Sequence, residues 1–233
     1  MKLSFRAFRA VDEPDTCQQY VEAHVRQLTE YGITKITSNN NEWMSNPDVY
    51  GVVAELEPTK QMVGGIRLQI ANGKQPLPVE DAIGHLDPKI HDVVAQRMST
   101  GIGELCGLWI SKNVAGRGVS MLLTRAGISI NNQLPCEILL GICAQYTLKM
   151  FNEVGFVIDR SLGNKGDFVY PNENYIAWVL GILNATTLQT ATEYNRKMIL
   201  ELREQPVQTR IEKGNEGEAS VEVSYNLIIP PSI

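Results

Sequence analysis

The sequence predicts a single α/β domain, and three observations carry that expectation. Residues 49–57 and 62–71 are β-rich runs joined by Pro58, Thr59 and Lys60, the pattern of an antiparallel hairpin. Residues 105–111, a glycine loop at 112–118, a helical stretch to about 131 and an apolar run at 137–144 form a strand–loop–helix–strand unit. The alternation then persists beyond that unit, and 233 residues suit one elaborated domain better than two. Its core is expected over about residues 49–160, with a C-terminal extension over about 161–233.

Taken in order, Cys17, Val21, Val25 and Leu28 recur at helical spacing between a start at Asp12 and Pro14 and a stop at Gly32, predicting an amphipathic N-terminal helix. Residues 37–47 are polar apart from Trp43 and Met44 and read as a loop pinned by one aromatic anchor, of the kind that covers sites. Residues 76–98 hold two short helical patterns broken at Gly84 and Pro88. Beyond the central unit, residues 145–154 read as a helix ended by Gly155, and 156–160 as the start of a strand. A polar turn at 163–167, a strand at 175–183, a helix marked by Leu188, Ala191, Met198 and Leu202, a charged loop at 212–218 and a strand near 221–229 complete the chain. That tail closes the sheet or is exchanged with a second subunit, giving a homodimer.

Composition excludes several classes. A chain that is 43% hydrophobic and 20% charged is neither disordered nor fibrous. A net charge of −5, with no dense run of Lys and Arg, makes nucleic acid an unsuitable partner. Cys17, Cys106, Cys136 and Cys143 form no C-x-x-C pair and read as reduced thiols. No apolar run follows the basic residues 1–11 to make a secretory signal, and none is long enough to insert in a membrane. A cytoplasmic location is expected. His24, His85 and His91 lack metal-ligand spacing, so no metal is expected.

The chemistry concentrates at Asn113-Val114-Ala115-Gly116-Arg117-Gly118, between a strand and a helix. This arrangement aims unpaired backbone N–H groups at the positive end of a helix dipole, where phosphate binds. Without a Cβ, Gly116 and Gly118 let a pyrophosphate approach the main chain. A tight turn without a ligand is the alternative. No G-x-x-x-x-G-K-[ST] occurs, and Gly101, Gly103 and Gly107 miss the G-x-G-x-x-G spacing and precede a strand.

These residues resemble the pyrophosphate loop [Q/R]-x-x-G-x-[G/A] of the GNAT superfamily of N-acyltransferases, with Asn113 in the first place. Phe151-Asn152-Glu153-Val154-Gly155-Phe156 is similar to that family's downstream helix ending in Gly-Phe. The resemblance covers roughly residues 49–156 and implies a mixed, mostly antiparallel central sheet flanked by helices. The implied co-substrate is acyl-CoA or the phosphopantetheine of an acyl carrier protein, held by Ile110, Ser111, Asn113, Val114, Ala115, Gly116, Arg117, Gly118 and Val119. Gly64-Gly65-Ile66-Arg67-Leu68 and Glu104 resemble features of the acyl-homoserine-lactone synthase and N-acyl amino acid synthase branch. The branch's Glu-x-Ser-Arg is here Glu104-Leu105-Cys106-Gly107, which leaves the lactone substrate open.

Acyl transfer to an amine needs a base, and Glu104 is the candidate; a solvated charge at a strand end is the alternative. Many GNAT enzymes carry a tyrosine, as acid for the leaving thiolate, where this chain has Phe151, so Tyr146 is the substitute candidate. Arg67 either binds an acceptor carboxylate or forms an ion pair with Glu104 or Glu55. Trp43, Cys106 and Trp109 are the other candidate substrate-binding residues. Cys106 reads as a small buried hydrophobe before a nucleophile, and Trp109 and Trp178 as core or pocket wall. A carrier protein would need a basic face, for which Lys112, Arg117, Arg125 and Lys149 are candidates. The expectation is an N-acyltransferase using a small-molecule acceptor. The alternatives are a non-catalytic acyl-thioester or lipid sensor, to which Phe151 points, and a simple acetyltransferase.

Overall fold

The computed structural model describes residues 1–30, 41–213 and 220–231. Among them one sheet of ten strands runs through the molecule. Its first strand, β1 (Lys2–Arg9), lies in the stretch that reads in sequence only as a basic N-terminus. Leu3, Phe5 and Ala7 alternate inward, with Lys2 exposed and Ser4 and Arg6 half-buried, so the period of two is there to be read. Helix α1 (Pro14–Glu30) follows. Its inward stripe is Cys17, Tyr20 and His24, whereas Val25 faces solvent, a shift in helical phase from the sequence reading.

The hairpin forms as expected from β2 (Val49–Leu56) and β3 (Gln61–Ile70). Trp43, in a 3₁₀ turn ahead of it, is buried and anchors that turn; residues 37–40 of the expected loop, and the expected helix stop at Gly32, lie outside the described residues. Two short helices, α2 (Pro78–Ile83) and α3 (Lys89–Arg97), lead to β4 (Ile102–Ile110). Helix α4 (Val119–Ile130), β5 (Ile138–Ala144), α5 (Leu148–Glu153), β6 (Val157–Ile158), β7 (Asp167–Val169), β8 (Ile176–Ile182) and α6 (Glu193–Glu204) come next. Leu188 and Ala191 fall in the turns before α6, whose first turn is capped by the Thr192 side chain. The last strands are β9 (Val207–Glu212), which the sequence reading misses, and β10 (Val221–Asn226).

The strand order is β6-β8-β5-β4-β3-β2-β1-β10-β9, with β7 on β8. Only β1–β10 and β4–β5 pair in parallel. The tail therefore closes the sheet on β1 of its own chain, as Lys2–Arg6 pair with Glu222–Asn226. The main core lies between the sheet and helices α4 and α6; α2 and α3 cover a smaller apolar cluster on the opposite face, and α1 covers another.

Two local features position the site. The pairing of β4 with β5 is limited to Ile102–Glu104 against Ile138–Leu140, and beyond it the two strands part. Helix α5 ends in a Schellman motif: the N–H of Phe156 donates to the Phe151 carbonyl at 3.0 Å and that of Gly155 to Asn152 at 3.1 Å. Gly155 sits at φ +109°, and an added Cβ would meet the Ala191 backbone at 3.1 Å. Phe151 and Phe156 make the accompanying ring contact, with centroids 5.3 Å apart.

Candidate active site

The parted strands open a notch through the sheet. An outer groove of about 790 Å³ is lined by Leu108, Trp109 and Ile110 of β4, Gly118 and Ser120 at the start of α4, and Met150 and Glu153 of α5. It continues into an inner cavity of about 210 Å³ bounded by Glu104, Cys106 and Leu108 of β4, Ile142 and Cys143 of β5, Phe151, and Tyr170 and Tyr175. His24, Leu28, Leu108, Tyr146, Thr147 and Tyr175 line both.

At the groove's outer end, Gly118 is the N-cap of α4 in the left-handed region (φ 71°), and no side chain caps the helix. The amides of the first turn have no intrahelical acceptor. Gly116 also has φ +71°, and a Cβ built on it meets nothing within 4 Å. The loop thus turns glycine backbone and the uncapped amides of a helix start toward open space, an arrangement that can receive an anion. Asn113, Ala115 and Gly116 are exposed, Val114 and Val119 are buried beneath them, and Ile110, Ser111 and Arg117 are intermediate.

Glu104 is at the crotch where β4 and β5 separate. It is the third residue of its strand rather than a charge at the strand's head, and it is fully buried. One carboxylate oxygen accepts the Val79 N–H at 2.6 Å, and Oε1 has no partner among the described residues. Burial raises its pKa from 4.5 to about 8, against the Val79 hydrogen bond and the charge of Arg67, which lower it. The solvated-charge alternative is thereby removed.

Arg67 is also buried, with its guanidinium 4.2 Å from the Trp43 ring centroid and 5.9 Å from that of Tyr20. Glu55 is engaged elsewhere, accepting from Arg6 at 3.3 Å and from Ser4. Neither Arg67 nor Trp43 is among the residues that line the two cavities; they stack on each other, and the guanidinium lies close to Gly107 of β4. Trp109 is buried with its ring edge on Tyr20 and lines the outer groove. Cys106 lines the inner cavity, and burial raises its thiol to about 12, which makes it wall rather than nucleophile.

Tyr146 stands in a 3₁₀ turn rather than in the α5 helix, and this brings it to the same inner cavity as Phe151 despite their spacing. It is 79% exposed, at the mouth. Trp178 donates to Gln145 at 2.5 Å beside that turn. Arg125, expected on a basic face, is buried and donates to Asn195 at 2.7 Å. Among the described residues no cluster of His, Cys, Asp and Glu is placed to hold a metal ion, and no helix is long and apolar enough to cross a membrane.

His24, Tyr170 and Tyr175 were not among the candidates read from sequence. The spacing of Tyr20, His24 and Leu28 on one helical stripe was the signal for the first. Tyr170 follows β7 and Tyr175 precedes β8, the second at the head of the run that reads as a strand, and nothing local marks either ring as cavity lining.

No family profile and no curated relative matches the sequence. Solved structures do. FeeM, an N-acyl amino acid synthase from uncultured soil microbes, superposes with a TM-score of 0.62 at 14% identity, over 84% of this chain and 97% of that one. BjaI, a CoA-dependent acyl-homoserine lactone synthase solved with SAM and isopentyl-CoA, gives 0.56 at 14% identity, over 97% and 96%. MesI, another CoA-dependent acyl-homoserine lactone synthase, gives 0.54 at 11% identity, over 87% and 95%. In its sheet order, its parted central strands and its glycine-led helix, the chain has the fold of the GNAT N-acyltransferases.

Proposed function

We propose that the protein is an N-acyltransferase that moves an acyl group from acyl-CoA to the amine of a small acceptor. The observation that carries the reading is a buried carboxylate with one unpartnered oxygen, Glu104, at the crotch of a notch whose other end is an open phosphate cradle. The cradle and the first-turn amides of α4 would hold the pyrophosphate. The pantetheine arm would follow the groove past Leu108, Trp109 and Ile110, bringing the thioester to the junction with the inner cavity.

An acceptor arriving as an ammonium cannot attack. Glu104 accepts its proton, and a conjugate acid near 8 is far better matched to this task than an ordinary carboxylic acid. The freed nitrogen bonds to the thioester carbon, the C–S bond breaks, and the thiolate leaves with its electron pair. Thiols have a pKa of about 8–9, so the thiolate needs little assistance; Tyr146 at the mouth is the proposed proton donor. Arg67 acts from outside the cavity lining, as a positioning residue stacked on Trp43 and Tyr20. Since Arg125 is turned inward, an acidic carrier protein would meet only Lys112, Arg117 and Lys149, and CoA is the donor proposed.

The test is incubation with acyl-CoAs of graded chain length and a panel of amines including amino acids, following free thiol and amide product by mass spectrometry. Amide formed together with free CoA supports the reading. Tight acyl-CoA binding without turnover across the panel would replace it with a binding protein.

A further inference from the structure

We infer that His24 on α1 is a second catalytic residue of this transfer, its imidazole donating a hydrogen bond to the thioester carbonyl oxygen as negative charge builds there. The inference rests on the N-acyltransferase reading above. His24 lines both the outer groove and the inner cavity, so it stands where they join. It is 4% exposed. Its neighbour on the helix is Tyr20, whose ring meets it edge-on at 6.1 Å, while the Tyr20 hydroxyl donates to the Gly107 carbonyl. A ring with two polar nitrogens at the junction of the two cavities is placed to hydrogen-bond a ligand atom that arrives there.

The charge state and the local field decide which ligand atom that is. Burial, with the Arg67 charge, lowers the imidazole's pKa to about 4, so at neutral pH the ring offers one N–H and one lone pair. A neutral N–H of this kind donates without surrendering its proton. The same Arg67 charge acts on the ring itself and favours an oxygen gaining negative charge as its hydrogen-bond partner. In the step itself, the acceptor nitrogen forms its bond to the carbonyl carbon and the C=O π pair moves onto oxygen, held by the His24 N–H. That pair then re-forms C=O as the C–S pair departs on sulfur. The acceptor's proton has gone to Glu104, and His24 is unchanged.

The experiment is isotope-edited infrared spectroscopy of [1-¹³C]acetyl-CoA bound to the protein, together with steady-state kinetics. Binding to the wild type is expected to lower the carbonyl stretch. His24→Phe keeps the ring's bulk against Tyr20 and should abolish that lowering, cut kcat/KM by ~10²–10³-fold, and leave the Kd for CoA within a few-fold. His24→Gln, whose amide keeps a donor, should recover part of both. Should His24→Phe fail to fold, His24→Leu is read in the same way. A carbonyl band as low in the folded variant as in the wild type would overturn the assignment. Failure of the wild type to bind acetyl-CoA at all would remove the acyltransferase reading with it, whereas normal binding and turnover with an unmoved band removes the His24 assignment alone.

Discussion

Replacing Glu104 by glutamine should make the protein more stable and less active. The carboxyl is buried with one oxygen unpartnered, and burial holds its pKa near 8 where an exposed glutamic acid has 4.5. Below pH 4.5 both folded and unfolded chains carry the proton and the group costs nothing. As pH rises through the interval, the unfolded chain ionises first and folded stability is lost, until the folded carboxyl ionises too and the loss levels off near pH 8. At about 1.4 kcal/mol per pH unit, that interval amounts to roughly 4–5 kcal/mol. Glutamine has no charge to desolvate, and its oxygen can still accept from Val79, but its NH₂ is a new buried donor. The net gain expected at pH 8 is therefore roughly 2–4 kcal/mol, and near pH 4, where only the cost of the buried amide remains, the variant is expected to be the less stable by roughly 1–2 kcal/mol. Urea unfolding at pH 4, 6 and 8 on both proteins measures it. Over the same range kcat/KM of the variant should fall ~10²–10⁴-fold and lose the limb near pH 8, keeping only the acceptor's own titration. A variant that is less stable than wild type at pH 8, or whose stability difference does not change between pH 4 and 8, refutes the account of Glu104 as a charge held in the interior at a cost; normal specific activity refutes its role as base.

Gly116→Val should weaken CoA binding at least tenfold by calorimetry, because its branched side chain would stand in the open space of the cradle. The strain of a β-branched residue at φ +71° adds about 1–2 kcal/mol of local cost; unchanged affinity in a folded variant would dismiss the cradle. Gly155→Ala should lower stability by about 1–3 kcal/mol, since alanine is strained at φ +109° and would press on Ala191; thermal melting reads it. All four thiols are held well above their usual pKa by burial, at about 12. Ellman titration should therefore find them slow to react in the native protein and four reactive in denaturant, and rapid labelling of native Cys106 would reverse its description as inert wall.

The hairpin, the glycine loop and the Gly-Phe helix end were legible because each is written locally. Two glycines and an uncapped helix need no distant partner to be recognised, and the Schellman contact lies within six residues, from Phe151 to Phe156. What was missed depends on partners far away in sequence. Strand β1 is a strand because β2 and β10 flank it, and β9 because β10 covers one of its edges. Glu104 reads as a strand end because residues 99–103 read as a turn; the pairing of Ile102 and Gly103 with β3 and β5 extends the strand and buries the carboxylate. His24 was visible only as an inward helical position, and nothing local says that the element opposite it is a gap rather than packed core.

The sheet also has a mechanical seam. On one side of the notch stand β6, β8, β7 and β5, on the other the six strands from β4 to β9, and within the sheet the two blocks are joined by three residue pairs, Ile102–Ile138, Gly103–Leu139 and Glu104–Leu140. The last of these pairs, where the two edges part, is that of Glu104 itself, so any change in the gape of the notch would be felt first in the surroundings of the carboxylate. An occupant bearing amides along its length would lace the two open edges together, and in doing so hold its inner end at a set distance from the Glu104 carboxyl.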